Sequence, residues 1–201
     1  MPMARSAGRN HIRGHIAHLA ARLMAEDGIE DYGLAKRKAA RQAGAPDSRQ
    51  MPDNDEIDAA LRIYRELYQC EHSSQLRELR RLALRIMDDL ISFDPHLTGS
   101  VLRGSAGKYA GIHLHLYTDN GKMVGHYLLD RKIEFRCGES RLYAGITPLD
   151  APVLSFERDG IEVHLTVLSL RELRSQLKAS AEGRPIERAR RDVVRALIDA
   201  A

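Results

Sequence analysis

Apolar residues recur at helical spacing from the N-terminus as far as Leu90. Ile12, Ile16, Leu19 and Leu23 make one stripe, and Gly28 offers a stop. A short basic helix is expected over Leu34–Gln42, carrying Lys36, Arg37, Lys38 and Arg41. The two prolines of Gly44–Asn54 mark a loop, and Asp53 or Asn54 can cap a helix whose stripe is Ile57, Leu61, Tyr64 and Leu67. Residues near Cys70–Ser74 break it. Leu76, Leu79, Ala83, Ile86 and Leu90 then mark a fourth helix, ended by Asp94-Pro95.

The period changes after Pro95. Leu97–Leu102 is short and apolar. In Gly111–Thr118, Ile112, Leu114 and Leu116 alternate with His113, His115 and Tyr117, the two-residue period of a strand with a polar face. Asp119-Asn120-Gly121 is a turn signal, Lys122–Arg131 reads as a helix, and Ile133–Cys137 reads as a strand. Val153–Glu157 and Ile161–Leu168 flank Arg158-Asp159-Gly160, a hairpin signal. In the second arm Ile161, Val163, Leu165 and Val167 face one way, and Glu162, His164 and Thr166 the other. Two closing helices are expected, one before Gly183 and one starting near Pro185. The fold class is α+β: a helical N-terminal region, residues 1–75, then a mixed sheet with flanking helices over 76–201.

Composition narrows the classes. Of 201 residues 43% are hydrophobic and 29% charged, enough for a core, and a net charge of +3 permits a nucleic-acid partner without demanding one. Two cysteines without C-x-x-C spacing argue against a disulfide framework or a thiolate zinc site and fit a reducing cytoplasm. No apolar run approaches the roughly 18–20 residues of a membrane span. The Arg-rich, acid-poor start superficially resembles a transit peptide, but an amphipathic helix accounts for it better.

The most specific stretch is Gly99-Ser100-Val101-Leu102-Arg103-Gly104-Ser105-Ala106, followed by Gly111-Ile112-His113-Leu114. It resembles the signature of the DNA polymerase β-like nucleotidyltransferase superfamily, above all its minimal members, over roughly residues 76–168. In that family a Gly-Ser pair opens a short helix, often with an Arg-Gly behind it, and an Asp-x-Asp follows on a strand about ten residues later. Here Arg103-Gly104 occupies the Arg-Gly place, and ten residues separate Ser100 from Gly111. The resemblance implies a triphosphate cradled by Gly99 and Ser100 and neutralised by Arg103 or Lys108. It implies two Mg²⁺ ions held by three carboxylates.

The chain departs from the pattern at those carboxylates. Gly111 and His113 stand in the Asp-x-Asp places, and the third falls on His164, two residues from Glu162. Imidazole suits Zn²⁺ better than Mg²⁺. Two readings of this motif therefore stand, beside a third in which the helical half is the functional part and offers a partner surface through the loop Gly44–Asn54 and the stripe Ile57–Leu67. In one, a divergent nucleotidyltransferase transfers from a nucleoside triphosphate with a divalent metal, Mg²⁺ or Zn²⁺, using His113, His164 and Glu162. In the other, a catalytically inactive module of the same fold binds a nucleotide, RNA or a protein. His113, His115 and His164 are candidate metal ligands, set against the plainer reading that a strand's polar face simply carries histidines.

Three weaker signals complete the picture. His11, His15 and His18 share a helical stripe that Arg22 continues, as expected of a solvated flank. The basic helix and the C-terminal Arg184, Arg188, Arg190, Arg191 and Arg195 offer phosphate contacts for RNA, but Glu187 and Asp192 weaken that field and stacking aromatics are few. No Gly-x-Ser-x-Gly elbow occurs.

Overall fold

The structure, a computed structural model, describes all residues except 1, 2, 27, 28, 30, 46–50, 69–71, 108, 182 and 201; side chains at 3–11, 68 and 72 are also outside the description. The chain divides into two compact units, Met1–Ser73 and Ser74–Ala201. No described helix is long and apolar enough to cross a membrane.

The first unit packs three helices, α1 (Met3–Glu26), α2 (Tyr32–Gln42) and α3 (Asn54–Tyr68). Its core is rich in alanine, with Ala17, Ala20, Ala21, Ala35, Ala39, Ala40 and Ala60 around Ile16, Ile57 and Leu61, so the helices approach closely. Helix starts follow their caps. Asp31 accepts a hydrogen bond from the Leu34 N–H at 2.6 Å. Asp53 Oδ1 accepts from the Glu56 N–H at 2.9 Å, while Glu56 Oε2 accepts from the Asp53 N–H at 2.7 Å, a reciprocal capping box. Arg13 clamps Glu56 from α1, with its Nε 2.8 Å from each carboxylate oxygen. Ile12 and Leu67, placed by periodicity on the inner stripes, are exposed instead.

The second unit runs α4 (His72–Asp89), β1 (His96–Thr98), α5 (Gly99–Arg103), β2 (Ile112–Tyr117), α6 (Lys122–Asp130), β3 (Arg136–Ala144), β4 (Thr147–Arg158), β5 (Ile161–Leu168), β6 (Leu177–Lys178), β7 (Arg188–Ala189) and α7 (Arg191–Asp199). The strands form one mixed sheet in the order β6-β3-β4-β5-β2-β1-β7. Only β2 and β5 are parallel; all other described pairs are antiparallel. The architecture is α+β, with helices first and a mixed sheet after them.

The main core gathers Ile112, Leu114 and Leu116 of β2 with Val163 and Leu165 of β5, Ala83, Ile86 and Met87 of α4, and Val124 and Leu128 of α6. The hairpin tip is tied to α4 by Arg85–Asp159 at 3.0 Å and Arg158–Asp89 at 2.6 Å. Arg80 of α4 is the unusual member of this layer. It is buried, and its guanidinium donates to the carbonyls of Val101 at 3.2 Å, Leu102 at 3.1 Å and Leu197 at 3.3 Å. One cation thus closes the carboxyl ends of both α5 and α7, where the last carbonyls of a helix lack partners of their own.

Three expectations need correction. β3 starts at Arg136 rather than Ile133 and runs on to Ala144, and β4, Thr147–Arg158, is far longer than Val153–Glu157, because pairing along the whole hairpin carries residues that have no alternation of their own. No helix precedes Gly183 among the described residues; that stretch holds a 3₁₀ turn at Glu172–Arg174 and the two-residue β6. The last helix starts at Arg191, not near Pro185, because Pro185 bridges Lys178, the Ile186 N–H donates to the Leu177 carbonyl at 2.7 Å, and Arg188 pairs with Thr98. The open edges of the sheet capture a segment that local propensity assigns to helix.

Candidate functional site

Register brings the chemistry together. Arg136 of β3 lies opposite Ser155 of β4, Ser155 opposite His164 of β5, His164 opposite His113 of β2, His113 opposite Thr98 of β1, and Thr98 opposite Arg188 of β7. Because a strand alternates faces, partners in one transverse row share a face. Six strands therefore carry one polar row on the face opposite the main core.

At the centre of the row, the rings of His113 and His164 stack with centroids 4.6 Å apart and planes 16° off parallel. His164 Nδ1 lies 2.9 Å from Ser155 Oγ. Its Nε2 is 3.7 Å from Glu162 Oε2, and Glu162 accepts from Arg136 Nη2 at 2.6 Å. Gly111 makes room for this ring: a Cβ on residue 111 would sit 3.2 Å from His164 Nε2 and Cδ2 and 3.0 Å from the Glu162 carbonyl oxygen. Gly99 closes the other side, since a Cβ there would sit 3.4 Å from His113 Cδ2.

Packing around the His113 ring, then the like charge of a protonated His164, push His113 down to about 4 against the pull of Glu162, although the outer part of the residue is exposed. The next row inward behaves differently from expectation. His115 and Tyr117, assigned to a polar face, are both buried. Tyr117 joins Leu142, Ala151, Leu168 and Leu177 in a second, smaller core, so this end of the sheet is covered on both faces. Burial, then Arg188, His96 and His113, push His115 down to about 4, and its Nδ1 finds no hydrogen-bond partner among the described residues. His96, opposite His115, is lowered by burial. Arg190 Nε donates to its Nε2 at 3.2 Å, so the Nδ1 carries the proton and donates to the Asp94 carbonyl at 2.9 Å.

The residues singled out by sequence separate accordingly. His113, His164 and Glu162 come together, with Gly99 against them. Ser100 opens the next turn of chain, and its carbonyl accepts the Ser105 N–H at 3.0 Å; Arg103 ends α5. Lys108 lies outside the described residues, as do Cys70 and the His11 side chain. His115 sits one row away. Lone pairs of imidazole lie in the ring plane, so the face-to-face pair does not aim two nitrogens at one point. Among the described residues no three His, Cys, Asp or Glu side chains group to hold a metal ion.

The C-terminal arginines are largely engaged in the fold. Arg188 donates to Tyr117 Oη at 2.7 Å and to the Leu173 carbonyl at 2.6 Å, Arg190 to His96, and Arg191 pairs with Asp88. Lys36 of the basic helix donates to Asn54 Oδ1 at 2.7 Å.

Sequence reasoning missed Ser155 and Arg136. The hairpin signal contained Ser155. Asp159 and Gly160 have φ of 54° and 76°, the two left-handed positions of a two-residue turn. That turn sets Arg158 opposite Ile161, and three steps back it sets Ser155 opposite His164.

The Gly111–His164 fit has a measurable consequence. Gly111→Ala and Gly111→Asp are expected to lower stability by about 2 kcal/mol, the usual cost of overpacking. Adding His164→Ala to either should recover part of the loss, because one of the two close neighbours is then gone. Thermal unfolding checks this; a Gly111→Ala protein melting with the wild type would remove the close fit.

No family model, curated protein or solved structure matches the chain, so the reading of its chemistry rests on this row of side chains.

Proposed function

We propose that the chain is a nucleotide-binding module of the nucleotidyltransferase type that does not perform metal-dependent nucleotidyl transfer. One observation carries this reading: the residues in the three carboxylate places, Gly111, His113 and His164, lie side by side and offer no side-chain oxygen ligand. His164 fills the space a side chain at 111 would use. His113 and His164 stack on each other. The one carboxylate beside them, Glu162, is bonded to Arg136. Mg²⁺ is a hard cation that takes oxygen ligands in octahedral geometry, and this donor set does not fit it. No step of the proposed function runs through a metal.

In this reading phosphates meet the Gly99 side of the row, where Gly99 and Ser100 lead into the first N–H groups of α5. Arg103 supplies charge, with Lys108 as the second cation. The histidine stack, neutral at His113, offers a flat polar surface beside them.

Calorimetric titration of metal-stripped protein with ATP, GTP, CTP and UTP, with and without Mg²⁺, Mn²⁺ or Zn²⁺, tests the reading. Binding is expected without a divalent ion and unchanged when one is added. Arg103→Ala is expected to weaken it about tenfold, the worth of one charge-assisted hydrogen bond. Absence of binding to all four would overturn the reading. Binding that needs a divalent ion would replace it with the enzymatic one.

A further inference from the structure

Beside the histidine stack, β4 supplies a hydroxyl in the place a nucleophile takes. We propose that Ser155 is a nucleophile activated by His164, in a site that accepts a neutral carboxylic ester. This goes beyond nucleotide binding and does not depend on it: phosphates would meet the Gly99 side of the row, and the ester the Ser155 side.

An activated serine needs a base within hydrogen-bond reach and a third group that orients the base. Ser155 Oγ is 2.9 Å from His164 Nδ1. Glu162 Oε2 stands 3.7 Å from the opposite ring nitrogen, Nε2, and favours the tautomer with its proton there. Nδ1 is then the basic nitrogen, and the Ser155 hydroxyl donates to it. The ring is held in place by His113 stacked on one side and by the absence of a side chain at Gly111. Glu162 is held in turn by Arg136 at 2.6 Å.

Ser155 also lies at the edge of a cavity that can hold a substrate. With Arg136, Glu157 and Glu162 it lines the polar side of a cavity of about 560 Å³, whose apolar side is Tyr109 with Phe135, Phe156 and Ile161, the last three packed on the main core; Glu134 stands beside them. Three carboxylates against one guanidinium disfavour an anion, and the aromatic and aliphatic walls favour an apolar acyl or alkyl group. The cavity therefore selects a neutral ester.

The chemistry closes without a cofactor. Ser155 Oγ bonds to the ester carbonyl carbon as its proton passes to His164 Nδ1, and the carbonyl electrons move onto oxygen. Guanidinium N–H groups of Arg136, across the ladder from Ser155, are the donors available to that oxyanion. Collapse breaks the bond to the leaving alkoxide, which takes the proton from Nδ1. Water then attacks the acyl-Ser155, gives a proton to His164 and displaces Oγ, which recovers it. The sum is ester and water to acid and alcohol.

The test is labelling of the full chain with a biotinylated fluorophosphonate, in which Oγ bonds to phosphorus as fluoride leaves, followed by peptide mass spectrometry. Labelling at Ser155 is expected in the wild type and in Ser140→Ala, a change on β3 outside the cavity. It should be absent in Ser155→Ala and about a hundredfold slower in His164→Ala. No labelling of the wild type, labelling that persists in Ser155→Ala, or a His164→Ala rate equal to the wild type would each overturn the proposal. The assay contains no nucleotide, so its result is separate from the titration above.

Discussion

Replacing Arg80 with Met is expected to destabilise the sheet unit by about 3 kcal/mol. Met preserves most of the aliphatic length, so the change isolates the guanidinium. Its loss leaves the carbonyls of Val101, Leu102 and Leu197 without their donor inside the protein. Each orphaned buried acceptor costs on the order of 1–3 kcal/mol. Relief from burying the Arg80 charge, whose desolvation pulls its affinity for a proton down, offsets part of the sum. Urea unfolding followed by circular dichroism measures the difference; a loss under about 1 kcal/mol would show that water replaces the guanidinium without cost. Because two of the three carbonyls belong to α5, the same variant is expected to loosen the turn that carries Gly99 and Ser100.

The second large effect is with acid. His115 is 6% exposed and pushed down to about 4, whereas an unfolded histidine titrates near 6.5. Between those values the unfolded chain binds the extra proton and the folded one does not. Stability is therefore complete above about pH 6.5, falls as the pH drops through that value, and stops falling near pH 4. The span corresponds to about 3 kcal/mol from this residue. Three cationic or titrating neighbours face it: Arg188 from β7, His96 from β1 and His113 from its own strand. His96 and His113 are lowered as well and add in the same direction. His115→Leu removes both the titration and the buried Nδ1. It should match the wild type within about 1 kcal/mol at pH 7.5 and exceed it by 2–3 kcal/mol near pH 4.5. Urea unfolding at the two pH values decides it, and parallel losses in both proteins would assign the acid sensitivity elsewhere.

The parts legible in advance were those whose signals are local. Lys122–Arg131 became α6, Gly111–Thr118 became β2 and Arg158-Asp159-Gly160 became a hairpin, because period and turn chemistry lie within a few residues. The class followed from the change of period after Pro95. What stayed hidden depends on partners distant in sequence. Leu177–Lys178 and Arg188–Ala189 are strands only because the edges of β3 and β1 accept them. His115 reads as polar by alternation, and only the smaller core over the second face shows it to be buried. Arg80 sits beside Leu79 in the sequence and passes for a surface residue until the ends of α5 and α7 meet it. The candidate site was half visible. Spacing from Gly99-Ser100 points to His113, and the resemblance alone places His164 and implies their adjacency, while Ser155 requires following the turn's register strand to strand.

The Arg80 clasp also orders events during synthesis. Its third hydrogen bond goes to the carbonyl of Leu197, 117 residues later, and β7, which covers the outer edge of β1, is made just before it. A nascent chain emerging residue by residue holds the helices of the first unit complete while Arg80 still lacks that partner. The sheet unit then reaches its native wiring only when its final helix clears the ribosome. Until that moment the outer edge of β1 stays open, so this unit completes its native pairing late.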